Sequence, residues 1–261
     1  TAGNTLTVNS NAVIDVLSGN TNTNIYIGEA SAGAGIIDFK GNFRIGETYF
    51  SGSIPKSYVV GNVNSKIIFR GDVLFGRTAR FVLPGGVSYP PSYPLAVPGT
   101  GTTPGTLEFD GPGLQQVLWN NNVYYDCFYN IVVGNQNKPY VKHVTGTYTP
   151  DNVLGDFTIN DGCTVDLGTS QWIREQSGGT FTMNGSAKLI IGNNQSIQSN
   201  CGFGCNTGVT IPGSNFPGGF ATMNISPSST IEYNGGNNIT QTVYSAPTYG
   251  NLILSNITGT G

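Results

Sequence analysis

Five acidic residues share one local text. Asp15 sits in IDV, Asp38 in IDF, Glu108 in LEF, Asp166 in VDL and Glu232 in IEY, each between two apolar residues. Two carboxylates at a controlled separation would serve a glycan-cleaving general acid and base. The apolar flanks favour another reading, a strand whose apolar side chains turn inward while the acid turns out. On that reading the five acids form one outward strand column, a solvated ladder that discourages edge pairing. Asp110 and Asp126 fall near turns, with Lys142 and His143 as their nearest basic neighbours in sequence. His143 is the single histidine, and no serine, cysteine or metal-ligand spacing accompanies it. The text NDG from Asn160 lacks the remaining oxygen ligands of a calcium loop. Glycine clusters are not followed by a helix pattern, which removes a phosphate-cradling reading. The expectation is a chain with no catalytic residue, no metal and no cofactor, and not an enzyme.

Other reactive side chains are few. Cys201 and Cys205 flank GFG and form a candidate local disulfide if the compartment is oxidising. Cys163 falls in a repeat column with Ala12 and Ala187, the place of a small buried side chain. Tyr89 and Tyr93 lie in LPGGVSYPPSYPLAVPGTGTTPGT, whose prolines cannot supply ladder donors. Tyrosines on such a loop either stack on a sugar or protein partner or fold back against the body. The same alternatives hold for Trp119, Tyr124, Tyr125 and Phe128. A net charge of -3 with 11 scattered Lys and Arg gives no basic stripe for nucleic acid. No run approaches the roughly 18 apolar residues of a membrane span.

The elements that carry these residues are repetitive. Only 10% of residues are charged and 38 are glycine, and Asn, Gly or Pro interrupts every short apolar run, so the composition predicts strands and turns. TLTVNSNAVIDVLSG, DFTINDGCTVDLG and TFTMNGSAKLIIG align without a gap, and FATMNISPSSTIEYNG aligns with two extra residues in its middle. Each begins with an alternating strand and reaches an asparagine, namely Asn9, Asn160, Asn184 and Asn224, the expected structural corner, because Asn tolerates left-handed backbone and bonds its own main chain. A second strand follows, and its text recurs as IDFKG, IIFRG, LEFDG and IEYNG. The closing Gly41, Gly71, Gly111 and Gly235 suit turns of positive φ. QQVLW then YNIVVGN, and TQTVY then YGNLILSN, supply a corresponding third element.

Phe157 and Phe181 are 24 residues apart. That spacing predicts an all-β parallel β-helix, or β-solenoid, with coils of roughly 20–30 residues and irregular loop insertions, in preference to antiparallel sandwiches. Residues 1–261 then form a single continuous section with insertions at about 84–105 and 200–219. The uncapped repeat text at both ends suggests a fragment of a longer array or an end-to-end assembly.

The run TIEYNGGNNITQTV, YGNLILSN and DFTINDGCTVDLG resembles the repeat regions of very large, Gly/Asn/Thr-rich, type IX-secreted adhesin-like surface proteins of Bacteroidota, gliding-motility adhesins among them. The resemblance spans nearly the whole chain through structural motifs. It implies export to the extracellular cell surface, a parallel solenoid serving as a stalk or filament, and dealings with the type IX secretion machinery and surface-anchoring proteins. Surface glycans, or like chains end to end, are further expected partners. The alternatives are a glycan-binding module using the Tyr/Pro loop and a carbohydrate-active β-helix enzyme.

Overall fold

A computed structural model describes residues 5–9, 23–27, 36–45, 57–61, 66–75, 79–82, 106–119, 127–128, 130–144, 152–153, 155–168, 174–175, 179–192, 214, 216–235 and 240–255. Tyr89, Tyr93, Cys201, Cys205, Asp15, Ala12, Asp126, Tyr124 and Tyr125 lie outside them, as do the 84–105 insertion and the first part of 200–219. The side chains of Trp119 and Phe128 are likewise outside the description, although their backbone belongs to strands.

Among the described residues every regular element is a strand, and every strand pairing is parallel. A first sheet of eight strands runs in chain order through Thr5–Val8, Ile36–Phe39, Lys66–Phe69, Thr106–Phe109, Asn130–Val133, Phe157–Ile159, Thr180–Met183 and Thr222–Ile225. A second sheet of eight runs through Phe43–Ile45, Val73–Phe75, Leu114–Trp119, Tyr140–Val144, Thr164–Asp166, Lys188–Ile191, Thr230–Tyr233 and Asn251–Leu254. Two three-stranded sheets complete the set, one of Thr23–Ile27, Ser57–Gly61 and Ala79–Val82, the other of Cys127–Phe128, Asn152–Val153 and Arg174–Glu175. Over most of its length the chain visits first sheet, second sheet and short sheet in rotation. Each strand therefore pairs with the strand of the same sheet one round trip earlier, which supplies the long return that parallel neighbours need.

Alternation decides which side chains meet. In the first sheet Ile37, Ile67, Leu107, Ile131, Phe157, Phe181 and Met223 share one register column, and Phe39, Phe69, Phe109, Val133, Ile159, Met183 and Ile225 share the next. All but the last residue of each column are buried, and Met223 and Ile225 pack partly buried on the same core. Phenyl rings stack along these columns, Phe39 to Phe69 at 5.7 Å between centroids, Phe69 to Phe109 at 5.8 Å and Phe157 to Phe181 at 5.3 Å. Each such buried ring contributes about 1.5–3 kcal/mol of transfer free energy, so the stack is where the sheets gain their cohesion. Val165, Leu189 and Ile231 face them from the second sheet.

Several sequence expectations need correction. IDFKG, IIFRG and LEFDG belong to the first sheet, whereas IEYNG belongs to the second, so the shared text is not one strand column. Asn130–Val133 and Asn251–Leu254 likewise occupy different sheets. Alternation of apolar and polar residues satisfies either sheet, because both bury one face against a common core. The glycines after these strands also act otherwise than expected: Gly71, Gly111 and Gly235 are not in the positive-φ region. Close approach is the requirement instead, since a Cβ on Gly71 would stand 2.6 Å from both the Gly41 carbonyl carbon and Asn42 Oδ1. The 200–219 insertion also contributes to the core. Phe216 is fully buried, 6.0 Å from Phe181 and 5.2 Å from Tyr244 between ring centroids.

Candidate functional site: the corner beside the first sheet

Backbone hydrogen bonds define one continuous corner where the chain leaves the first sheet. The N–H of Lys40, Arg70, Asp110, Gly134, Asn160, Asn184 and Ser226 each donates to the carbonyl of the residue ending the preceding strand, at 2.8–3.0 Å: Val8, Phe39, Phe69, Phe109, Val133, Ile159 and Met183. Asn9, directly after Val8, begins the column. Asn160 and Asn184 thus stack as the repeat predicts, and the amide Nδ2 of Asn184 donates to Asn160 Oδ1 at 2.9 Å. Asn160 Nδ2 in turn donates to the Gly134 carbonyl.

Asn224 is a correction. It lies inside the strand Thr222–Ile225 and pairs with Thr182, while Ser226 holds the corner. Met223 and Ile225 follow Phe181 and Met183 into the core, so the apolar side chains set the register and Asn224 points away. Aligned this way, MNISPSSTIEY matches FTMNGSAKLII with no gap. The turn is shared as well: Cys163, Ala187 and Ser229 donate their N–H to the carbonyls of Asn160, Asn184 and Ser226 at 3.1, 3.0 and 3.0 Å. Gly162 takes the third place of its turn at φ +74°, and Gly185 the second place of the next at φ +51°, a left-handed backbone that favours glycine.

The corresponding corner at lower residue numbers is ionic. Arg70 donates through Nε and Nη2 to the two oxygens of Asp38 at 2.8 and 3.2 Å, and through Nη1 to Asp110 Oδ2 at 2.7 Å. Lys40 also contacts Asp38. Asp110 is fully buried, and its Oδ1 accepts the consecutive backbone N–H groups of Asn135, Gln136 and Asn137 at 2.9, 3.1 and 2.9 Å. Such a nest of N–H groups is an anion site, here filled by the chain's own carboxylate. Burial pulls the Asp38 carboxyl upward, but the hydrogen bonds and charges of Arg70 and Lys40 outweigh it and hold it below its ordinary value. The hydrogen bond to Asp38 raises Arg70 in return.

The acids expected to form one solvated column are divided and covered. Asp38 and Glu108 share a column of the first sheet with Ile68 between them, and Asp166 and Glu232 share one of the second with Ile190 between them. Asp38, Glu108 and Asp166 are buried. A diagonal rule accounts for their partners. The first residue of one strand reaches the third residue of the next: Lys66 Nζ to Glu108 at 2.7 Å, Tyr140 OH to Asp166 at 2.9 Å, and Lys188 Nζ to Glu232 at 2.7 Å. Burial and then the Asp166 contact push the Tyr140 hydroxyl up to about 12. Hydrogen bonds from Lys188 and Ser255 hold Glu232 low.

Asp110 is therefore partnered by Arg70 and a turn, not by Lys142 or His143. His143 stands in register with Val117 in the core, and burial keeps it well below its ordinary value, hence neutral. Cys163 is a buried free thiol, pushed up to about 11 chiefly by burial, as its place beside Ala187 predicts. No three His, Cys, Asp or Glu side chains among the described residues group as metal ligands.

Two residues escaped sequence reasoning. Gln115 is buried, with Oε1 accepting from Gly111 N at 2.7 Å and Nε2 donating to the Phe69 and Gly71 carbonyls at 3.0 and 2.8 Å. Gln241 repeats the act on the Ile191 carbonyl at 3.0 Å. A glutamine a few residues beyond a strand-closing glycine, in QQV and TQTV, was the available signal. Chemically, the corner directs these donors and acceptors to neighbouring strands of the same sheet, clamping them together. Among known proteins, no family model, curated protein or solved structure matches the chain.

Proposed function

We propose that the chain is a section of a parallel β-solenoid with a mechanical role, a stiff stalk or filament segment of a secreted, adhesin-like bacterial surface protein. The observation that carries this reading is the unbroken parallel register of two eight-stranded sheets in strict chain order. Stacked coils of this kind hold one another through nearest neighbours, so length is added without a new core. Eight layers at the strand spacing give a body on the order of 40 Å long. The clamped corner supports the same reading, because its polar groups are spent on neighbouring coils of this chain. Export to the cell surface and dealings with type IX secretion rest on the resemblance of the repeat text.

The test is a swap in cells that display the parent protein. Replacing this section by an unrelated solenoid of equal length is expected to preserve surface display and attachment. Loss of attachment, together with glycan-array binding by the isolated chain that disappears in a Tyr89→Ala/Tyr93→Ala variant, would overturn the spacer reading in favour of a glycan-binding module.

A further inference from the structure

Glu108 differs from the other strand acids in what its two oxygens hold. Oε2 accepts from Lys66 Nζ at 2.7 Å and Oε1 accepts from Asn135 Nδ2 at 3.3 Å. A primary amine and a carboxamide thus meet across one carboxylate that is only 1% exposed. The three residues come from three successive strands of the first sheet. Lys66 opens Lys66–Phe69, Glu108 is the third residue of Thr106–Phe109, and Asn135 lies just beyond Asn130–Val133. Their approach is fixed by register, Lys66 to Thr106 and Thr106 to Asn130, and by the Asn135 N–H held on Asp110 Oδ1 at 2.9 Å.

We propose that Lys66 and Asn135 join in a self-catalysed isopeptide bond, with Glu108 carrying the protons. The Lys66 ammonium passes a proton to Glu108 across the short contact, and the freed Nζ attacks Cγ of Asn135. The Nζ–Cγ bond forms, a proton moves from Nζ to Nδ2 by way of the carboxylate, and the Cγ–Nδ2 bond breaks. Ammonia departs and takes the proton left on Glu108, so one ammonium and one carboxamide become one amide and one ammonium ion. No oxidant or cofactor enters. Holding the partners on rigid strands supplies the proximity, and the carboxylate supplies general acid–base help of about 100- to 10,000-fold. The product would tie together strands two coils apart and enclose the 84–105 insertion in a covalent loop. It stands independently of the surface-adhesin reading.

The molecule contains its own controls. Lys188 makes the same diagonal contact to Glu232, whose other oxygen accepts from the Ser255 hydroxyl where Glu108 accepts from a side-chain amide. Asp166 has Tyr140 in place of an amine.

Intact-mass analysis of the purified full chain is expected to read about 17 Da below the sequence mass, one ammonia, with a branched peptide joining Lys66 to Asn135. Lys66→Arg and Asn135→Ala are expected at full mass, and Glu108→Gln is expected to slow closure by at least about 100-fold while circular dichroism stays that of the parent. Asn135→Asp, which keeps the carbonyl, is expected to close with loss of water, about 18 Da. A folded parent chain at full sequence mass, with Lys66 still open to amine acetylation after prolonged incubation, would overturn the proposal. So would a mass loss that persists in Lys66→Arg, which marks a succinimide at an asparagine.

Discussion

The same corner is built twice from different chemistry. At Asp38, Arg70 and Asp110 it is ionic and largely withdrawn from water, and at Asn160, Asn184 and Ser226 it is neutral, with Asn184 and Ser226 at least partly exposed. The backbone bonds beneath are the same in both regions. What differs is the consequence of removing one side chain. A neutral amide that loses its partner turns to water, whereas a buried charge that loses its partner stays costly.

The largest effect is therefore expected at Arg70. Arg70→Met leaves Asp38 and Asp110 buried without their shared cation and is expected to cost about 3–5 kcal/mol in denaturant unfolding. A loss below about 1 kcal/mol would put the ionic corner on a par with exposed pairs. Acid probes the same difference without mutation. Asp38 is held below its ordinary value of 3.8 in the folded chain, so its contribution is complete above that value and is lost as pH falls through the lower folded value. The Asn160 and Asn184 amides do not titrate. Hydrogen exchange followed from neutral pH to below pH 3.8 is expected to accelerate at Arg70 and Asp110 before Asn160 and Asn184, after correction for intrinsic rates. Equal acceleration in both regions would contradict the contrast.

Intermediate effects belong to the glycines that let neighbouring turns of chain approach. Gly71→Ala drives a Cβ into the Gly41 backbone and is expected to cost about 1–3 kcal/mol. Gly113→Ala meets open space within 4 Å and is expected to stay within about 0.5 kcal/mol. Thermal unfolding of the two variants side by side separates steric approach from any general loss of glycine. The smallest effect is expected at the amide ladder, where Asn184→Ala removes one hydrogen bond and about 0.5–1.5 kcal/mol. A cost equal to that of Arg70→Met would mean that the two corners are energetically alike.

Much of this was legible in the chain. Phe157-Thr158-Ile159 and Phe181-Thr182-Met183 announce their strand and core face, and Asn160 and Asn184 their shared corner, because each is a local pattern repeated 24 residues later. Asn224 departs from the pattern because burial of Met223 and Ile225 outweighs an asparagine's corner preference. The acids misled for a related reason. A carboxylate between two apolar residues does face outward, yet whether water reaches it depends on Lys66, Arg70 or Tyr140, which stand on or just beyond a neighbouring strand and leave no local mark.

By itself the sequence determined an all-β chain, the residues that turn inward, and the places where strands give way to corners, since strand alternation and turn preferences act over a few residues. The tertiary structure alone decided which of two equivalent sheets each strand joins, that Asp38, Glu108 and Asp166 are covered, and that Lys66 and Asn135 meet on Glu108. Those outcomes depend on register between strands separated by whole turns of chain, and register is settled by the collective burial of the core columns.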